Sequence, residues 1–249
     1  MDHAYLNEIF ASIQGEGPRI GQRHIFVRFQ GCDIRCRYCD TPAAAPADKR
    51  LQCCASQAST GPAVSYEQIP NPVSASRLTE LCNRLVIPGP APSTISLTGG
   101  EPLLQYEFLA QWLPIVKKKY RIYLETNGIH DEAMKALNGL VDMVSMDFKL
   151  PSATGLRPFW EEHKRFLSAA VGTEIFIKAV VTRDTNVDDI LESSYIIAGH
   201  NASIPFILQP AGNTLAPDVN KIIDFQDAAL RIIRDVRVIP QVHTILKVP

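Results

Sequence analysis

Short apolar runs alternate with amphipathic stretches along most of the chain. Six runs read as strands: Ile25–Phe29, Thr94–Thr98, Arg121–Glu125, Val141–Asp147, Glu174–Val181 and Ile204–Gln209. Most are almost continuously apolar, the pattern of strands covered on both faces. Between the second and third, Leu104, Phe108, Leu109, Trp112, Leu113 and Val116 recur at helical spacing, and Pro114 leaves the end of that helix open. A second stripe, Val219, Ile222, Ile223, Ala229, Leu230 and Ile233, begins near Pro217. Strand–helix alternation of this kind predicts an α/β fold with a parallel sheet. About six core strands are too few for a closed eight-stranded barrel, so the expected architecture is an open, partial parallel β/α barrel. The Ala-, Pro- and Ser-rich stretch from Thr41 to about Arg77 breaks the rhythm, and reads as an insertion (about 42–77) in a single domain spanning 1–249.

Several predicted strands end in polar residues or glycine: Thr98-Gly99-Gly100-Glu101, Glu125-Thr126-Asn127-Gly128, Asp147-Phe148-Lys149 and Gln209-Pro210. In parallel α/β folds the active site lies at the carboxyl ends of the strands, so these four ends mark a candidate site. Any one of them alone would be an ordinary polar turn.

Composition narrows the partners. Of 249 residues 46% are hydrophobic and 20% charged, enough to bury a core and to exclude global disorder. Lys plus Arg total 25 against 26 Asp plus Glu, without the basic excess of a polynucleotide-binding surface. No apolar run approaches the roughly 20 residues needed to span a bilayer, and the first residues lack the order of a secretory signal. The expectation is a cytoplasmic protein acting on a small molecule, with no nucleic-acid or membrane partner.

Six cysteines are too few for a disulfide framework, and three crowd into the loop Gly31-Cys32-Asp33-Ile34-Arg35-Cys36-Arg37-Tyr38-Cys39-Asp40, directly after a strand. Such spacing lets one loop wrap Cys32, Cys36 and Cys39 around a soft-metal centre. Three ligands on a four-iron cube leave one iron open for chemistry. A structural zinc site is the main rival and would need a distant fourth ligand such as Cys82 or His24. Cys53, Cys54 and Cys82 read as ordinary small residues, His243 as a surface histidine, and Lys117-Lys118-Lys119 as the cationic end of a helix.

The Cys-x3-Cys-x2-Cys loop followed by Gly99-Gly100-Glu101-Pro102 resembles the radical S-adenosylmethionine (SAM) superfamily. The flanks, Ser12-Ile13-Gln14-Gly15-Glu16-Gly17, Val27-Arg28-Phe29-Gln30-Gly31 and Val236-Arg237-Val238-Ile239-Pro240-Gln241-Val242-His243, make the chain similar to the 7-carboxy-7-deazaguanine synthases of queuosine biosynthesis. This resemblance implies a [4Fe-4S] cluster whose open iron chelates SAM, one-electron cleavage to a 5′-deoxyadenosyl radical, and Mg²⁺. It implies conversion of 6-carboxy-5,6,7,8-tetrahydropterin to 7-carboxy-7-deazaguanine with loss of ammonia, the abstracted hydrogen being returned so that SAM is regenerated.

Carried over position by position, Tyr38, Cys39, Asp40, Gly100, Glu125, Asn127, Asp147, Phe148, Lys149 and Gln209 would face SAM. Gly99 and Gly100 would let the backbone approach its ammonium group. Ile13, Gln14, Gly15, Glu16, Arg28 and Thr98 would face the pterin, Glu16 pairing with the amino-pyrimidine and Arg28 with the carboxylate. Without the resemblance Arg28 reads as one half of a surface ion pair. Thr41 would bind Mg²⁺ and Pro249 would reach the substrate through its carboxylate. A homodimer and a flavodoxin-type reductant are further implications. The chain also resembles glycyl-radical-enzyme activases in its cysteine loop, Gly-Gly-Glu-Pro segment and size, and a non-catalytic zinc or iron–sulfur module is the remaining alternative.

Overall fold

The computed structural model describes residues 2–39, 53–56, 66–86, 89–212 and 215–248. In chain order it contains β1 (His3–Ala4), β2 (Leu6–Ile13), β3 (Arg23–Phe29), β4 (Cys53–Ser56), β5 (Tyr66–Ile69), β6 (Val73–Ser74) and α1 (Ala75–Arg84). There follow β7 (Thr94–Gly99), α2 (Tyr106–Val116), β8 (Arg121–Thr126), α3 (Asp131–Ala136), β9 (Met143–Asp147), α4 (Pro151–Thr154) and α5 (Trp160–Ala169). The remainder is β10 (Glu174–Val181), α6 (Val187–Asn201), β11 (Phe206–Pro210), α7 (Val219–Leu230), β12 (Val236–Val238) and α8 (Val242–Leu246).

Ten of these strands form one open sheet in the order β12-β11-β10-β9-β8-β7-β3-β2-β4-β5. From β3 to β12 every neighbouring pair is parallel, so the carboxyl ends of the strands point the same way. The expected α/β class and open parallel architecture hold, and the six predicted strands are all present. The sheet is longer than predicted. β12 extends one edge, and β2, pairing antiparallel with β3, extends the other. Part of the stretch expected to be an insertion joins the sheet too, β4 pairing with β2 and β5 with β4.

The apolar strands explain their own placement. Ile25, Val27, Ile95, Leu97, Ile122, Leu124, Val144 and Ile177 are fully buried between the helices and the sheet. Each such side chain contributes about 1.5–3 kcal/mol by leaving water. Both predicted helices form, with altered faces. Pro114 is tolerated inside α2, which runs on to Val116. Leu104, expected on its stripe, instead lies 43% exposed in the preceding 3-10 turn. In α7 the buried face is Phe225, Ala228 and Ala229, while Val219, Ile223 and Leu230 are exposed. Asp218 starts that helix by accepting from Lys221 N at 3.0 Å. Among the described residues no helix is long and apolar enough to cross a membrane.

Candidate functional site

The cysteine loop begins where β3 ends, and its first residues are fixed by the turn after β7. Gly100 N donates to Phe29 O at 3.1 Å and Glu101 N to Gly31 O at 2.8 Å. A Cβ on Gly100 would sit 1.9 Å from Gly31 O. Gly100 is thus required by the chain's own backbone contact with the cluster loop, and Gly99, at φ +125°, by its contact with Phe29 at the end of β3.

Glu101, fully buried, fastens this turn to the end of β8. Its carboxylate accepts from Leu103 N at 3.0 Å, Thr126 Oγ1 at 2.9 Å and Asn127 N at 2.7 Å. Burial pushes its pKa up, and these donors pull against that shift. Asn127 Nδ2 in turn donates to Asp33 Oδ1 at 3.1 Å, and His130 Nε2 lies 3.1 Å from Asp33 Oδ2. The loop is therefore pinned from both sides before any metal binds.

Over the carboxyl ends of the strands opens a cavity of about 710 Å³. Cys32, Cys36, Tyr38 and Cys39 line it from the loop, and Thr98 and Gly100 from β7 and its turn. Glu125 enters from β8 and Asn127 from the turn after it, Asp147 from β9 and Lys149 from the segment after it, and Gln209 from β11. The opposite wall carries Ile13, Gln14, Gly15, Glu16 and Arg28. Of the described candidates only Phe148 is not among the lining residues. It is fully buried, its ring stacked on His163 at 4.3 Å between centroids. Asp40, Thr41 and Pro249 lie outside the described residues.

Polar contacts organise the cavity. Gln14 Nε2 donates to Glu125 Oε1 at 3.0 Å and Thr98 Oγ1 to Glu125 Oε2 at 2.6 Å. Glu16 is held by Lys178, Nζ to Oε2 2.5 Å, and by the amides of Gln241 at 2.8 Å and Gln209 at 3.2 Å on Oε1. Desolvation is the largest single influence and would raise Glu16, but the charge and hydrogen bond of Lys178, the Gln241 amide and His243 together take the carboxyl down to about 2. Glu125 shifts up, first from burial and then from the charge on Glu16. Arg28 ion-pairs with Glu8 at 2.9 Å on the cavity wall and lies 5.8 Å over the Phe10 ring. His243, expected on the surface, lines the cavity instead. Lys178 and Glu8 were not singled out from the sequence, and Gln241 stood there only within a flanking motif, with no role. Lys178 carried a usable signal, a lone cation in the apolar run Ile175–Val181.

The residues present fit a cluster with a small polar cofactor beside it. Three thiols line one side of the cavity, and Asp147 Oδ1 and Gln209 Oε1 are buried there without a protein partner. Buried polar atoms left unpaired by the protein are ones a ligand can satisfy. Among the described residues no three His, Cys, Asp or Glu side chains are arranged to hold a single metal ion.

An open parallel sheet with a three-cysteine loop at its carboxyl edge defines a radical SAM protein, and residues 26–194 match the Radical SAM superfamily. That superfamily implies a [4Fe-4S] cluster and SAM. The chain is 42% identical to the 7-carboxy-7-deazaguanine synthase of Geobacter sulfurreducens, over 96% of each chain. It is 35% identical to the enzyme of that name from Archaeoglobus fulgidus, over 98% of this chain and 99% of that one. Its fold is similar to the crystal structure of QueE from Escherichia coli, TM-score 0.62 at 21% identity, covering 96% and 94% of the two chains. The chain belongs to the 7-carboxy-7-deazaguanine synthase family.

Proposed function

We propose that the protein converts 6-carboxy-5,6,7,8-tetrahydropterin to 7-carboxy-7-deazaguanine with loss of ammonia, in queuosine or related 7-deazapurine biosynthesis. The observation that carries this reading is that Gln14-Gly15-Glu16 and the three cysteines line one cavity. A protein-activating enzyme has no need of an enclosed carboxylate facing its radical centre.

Cys32, Cys36 and Cys39 would hold the cluster, and Tyr38, Gly100, Asn127, Asp147, Lys149 and Gln209 would surround SAM. When bound, these groups supply one-electron chemistry that takes a hydrogen atom from the substrate carbon bearing the carboxylate. The protein's share is binding, orientation and exclusion of water. Glu16 accepts two N–H groups of the amino-pyrimidine, a bidentate contact that rejects rings lacking them. Gln14, with its amide already oriented by Glu16 and Glu125, presents the same edge. Arg28 exchanges Glu8 for the substrate carboxylate, its planar fork suiting either partner. Glu125, shifted up by burial and by the charge on Glu16 and accepting from Thr98 Oγ1 and Gln14 Nε2, would face SAM between that cofactor and the pterin wall.

Mg²⁺ at Thr41 would neutralise the carboxylate, and Pro249 would contribute its own. The homodimer, the flavodoxin-type reductant, the cytoplasmic location and the reading of 1–249 as one domain belong to the same proposal. The test is an anaerobic assay of reconstituted protein with SAM, Mg²⁺, dithionite and 6-carboxytetrahydropterin, read by mass spectrometry. 7-Carboxy-7-deazaguanine is the expected product. Formation of 5′-deoxyadenosine without it would retain the radical chemistry and remove the substrate, leaving the activase reading in its place.

A further inference from the structure

Lys178 has no role in the reading above. It stands opposite Asp147 in the β9–β10 register, and its ammonium lies between two carboxylates, 2.5 Å from Glu16 Oε2 and 3.4 Å from Asp147 Oδ2. The other oxygen of Glu16 receives the amides of Gln241 and Gln209, so every recorded side-chain contact to this carboxylate is a donor. No proton is needed on Glu16 to complete its bonds.

The surroundings show what would follow without the cation. Glu125 and Tyr123 face this space from β8, Asp147 from the end of β9, Lys149 from the segment after it, and His243 from α8. Lys149 is already committed, 2.9 Å from Asp147 Oδ2 and 5.6 Å over the Tyr38 ring. Gln14 ties Glu16 to Glu125, its Oε1 accepting from Glu16 N and its Nε2 donating to Glu125, both at 3.0 Å. Glu16 would then share an enclosed space with two other carboxylates and no cation of its own. Like charges confined in low dielectric are relieved by taking up a proton.

Resting on the pterin reading, we infer that Lys178 is a positioning residue that keeps Glu16 an acceptor-only carboxylate toward the amino-pyrimidine edge and ties it to the cofactor-facing Asp147. A protonated Glu16 would turn an O–H toward the N–H groups it is meant to receive, and the bidentate contact would be lost.

Two readouts test this on the full chain. In the first, side-chain carboxyl carbons of glutamate are labelled with ¹³C, and the Glu16 signal is assigned by its loss in Glu16→Gln. The wild type and Lys178→Arg should show Glu16 ionised from about pH 5.5 to pH 8, whereas in Lys178→Met its titration moves up into that range. Lys178→Gln serves the same comparison should the Met variant not fold. In the second, anaerobic binding of 6-carboxytetrahydropterin should be flat with pH in the wild type. In Lys178→Met it should weaken by about tenfold per pH unit below the new titration point. A Glu16 signal that stays ionised in Lys178→Met overturns the inference, as does a loss of affinity that is uniform with pH. A wild type that shows the Glu16 behaviour but binds no pterin overturns the substrate reading and leaves the hold of Lys178 on Glu16 standing.

Discussion

Replacing Gly100 by alanine tests whether the cluster loop is built on the turn after β7. The added methyl carbon would lie 1.9 Å from Gly31 O, 2.5 Å from Gly31 C and 3.1 Å from Cys32 N, where ordinary contact begins near 3.4 Å. All three neighbours are backbone, so no side chain can swing away. The strand ends must separate by about 1.5 Å, which takes the 2.8 Å bond from Glu101 N to Gly31 O beyond hydrogen-bonding length. Stranding those two groups costs about 1–3 kcal/mol, and overpacking a similar amount. A net loss of about 3 kcal/mol corresponds to a fall in melting temperature of about 6–12 °C for a chain of this size. Because the displaced segment carries Cys32, iron bound after reconstitution should fall as well. The control is Gly199→Ala in α6, where an added Cβ meets nothing within 4 Å. That change should stabilise by roughly 0.5–1 kcal/mol and leave iron binding untouched. Thermal melts and iron assays on the two variants decide the matter. A Gly100→Ala protein with wild-type melting and full iron would refute the contact.

Glu101→Gln keeps the shape but turns an amide toward backbone donors, so the urea midpoint should drop by the equivalent of about 3 kcal/mol. Cys36→Ala should give colourless, iron-poor protein after reconstitution, and Cys82→Ala, buried in α1, should stay brown; iron retained by Cys36→Ala would remove it from the ligand set. His163 is lowered from 6.5 to about 4, chiefly by burial, so between those values the unfolded chain binds a proton that the folded one refuses. Its contribution, about 3 kcal/mol, is present above pH 6.5 and is lost as pH falls toward 4. Stability of His163→Phe, measured by urea between those pH values, should therefore decline less steeply than that of the wild type; parallel curves would reject the burial argument.

The parts of this molecule legible in the sequence are those in which chemistry follows local order. Continuous apolar runs gave all six predicted strands, and the cysteines needed only their spacing to be placed on one loop. What was not legible depended on neighbours. The α6 helix hides its stripe because Ser193 and Ser194 face the core, their hydroxyls returned to the carbonyls of Asp189 and Ile190 at 2.7 Å. The exposed Val219, Ile223 and Leu230 of α7 were indistinguishable by pattern from the residues that pack, since an apolar side chain on the surface breaks no physical rule. Within the site, the difference is sharpest at Lys178. A lone ammonium in an apolar strand must find a counter-charge, and the sequence therefore announces that a partner exists. Which partner it finds is decided by the sheet order, which sets β10 beside β9 and brings Glu16, 162 positions away, across the strand ends to meet it. The composition of such a pair is local information, whereas its identity is topological.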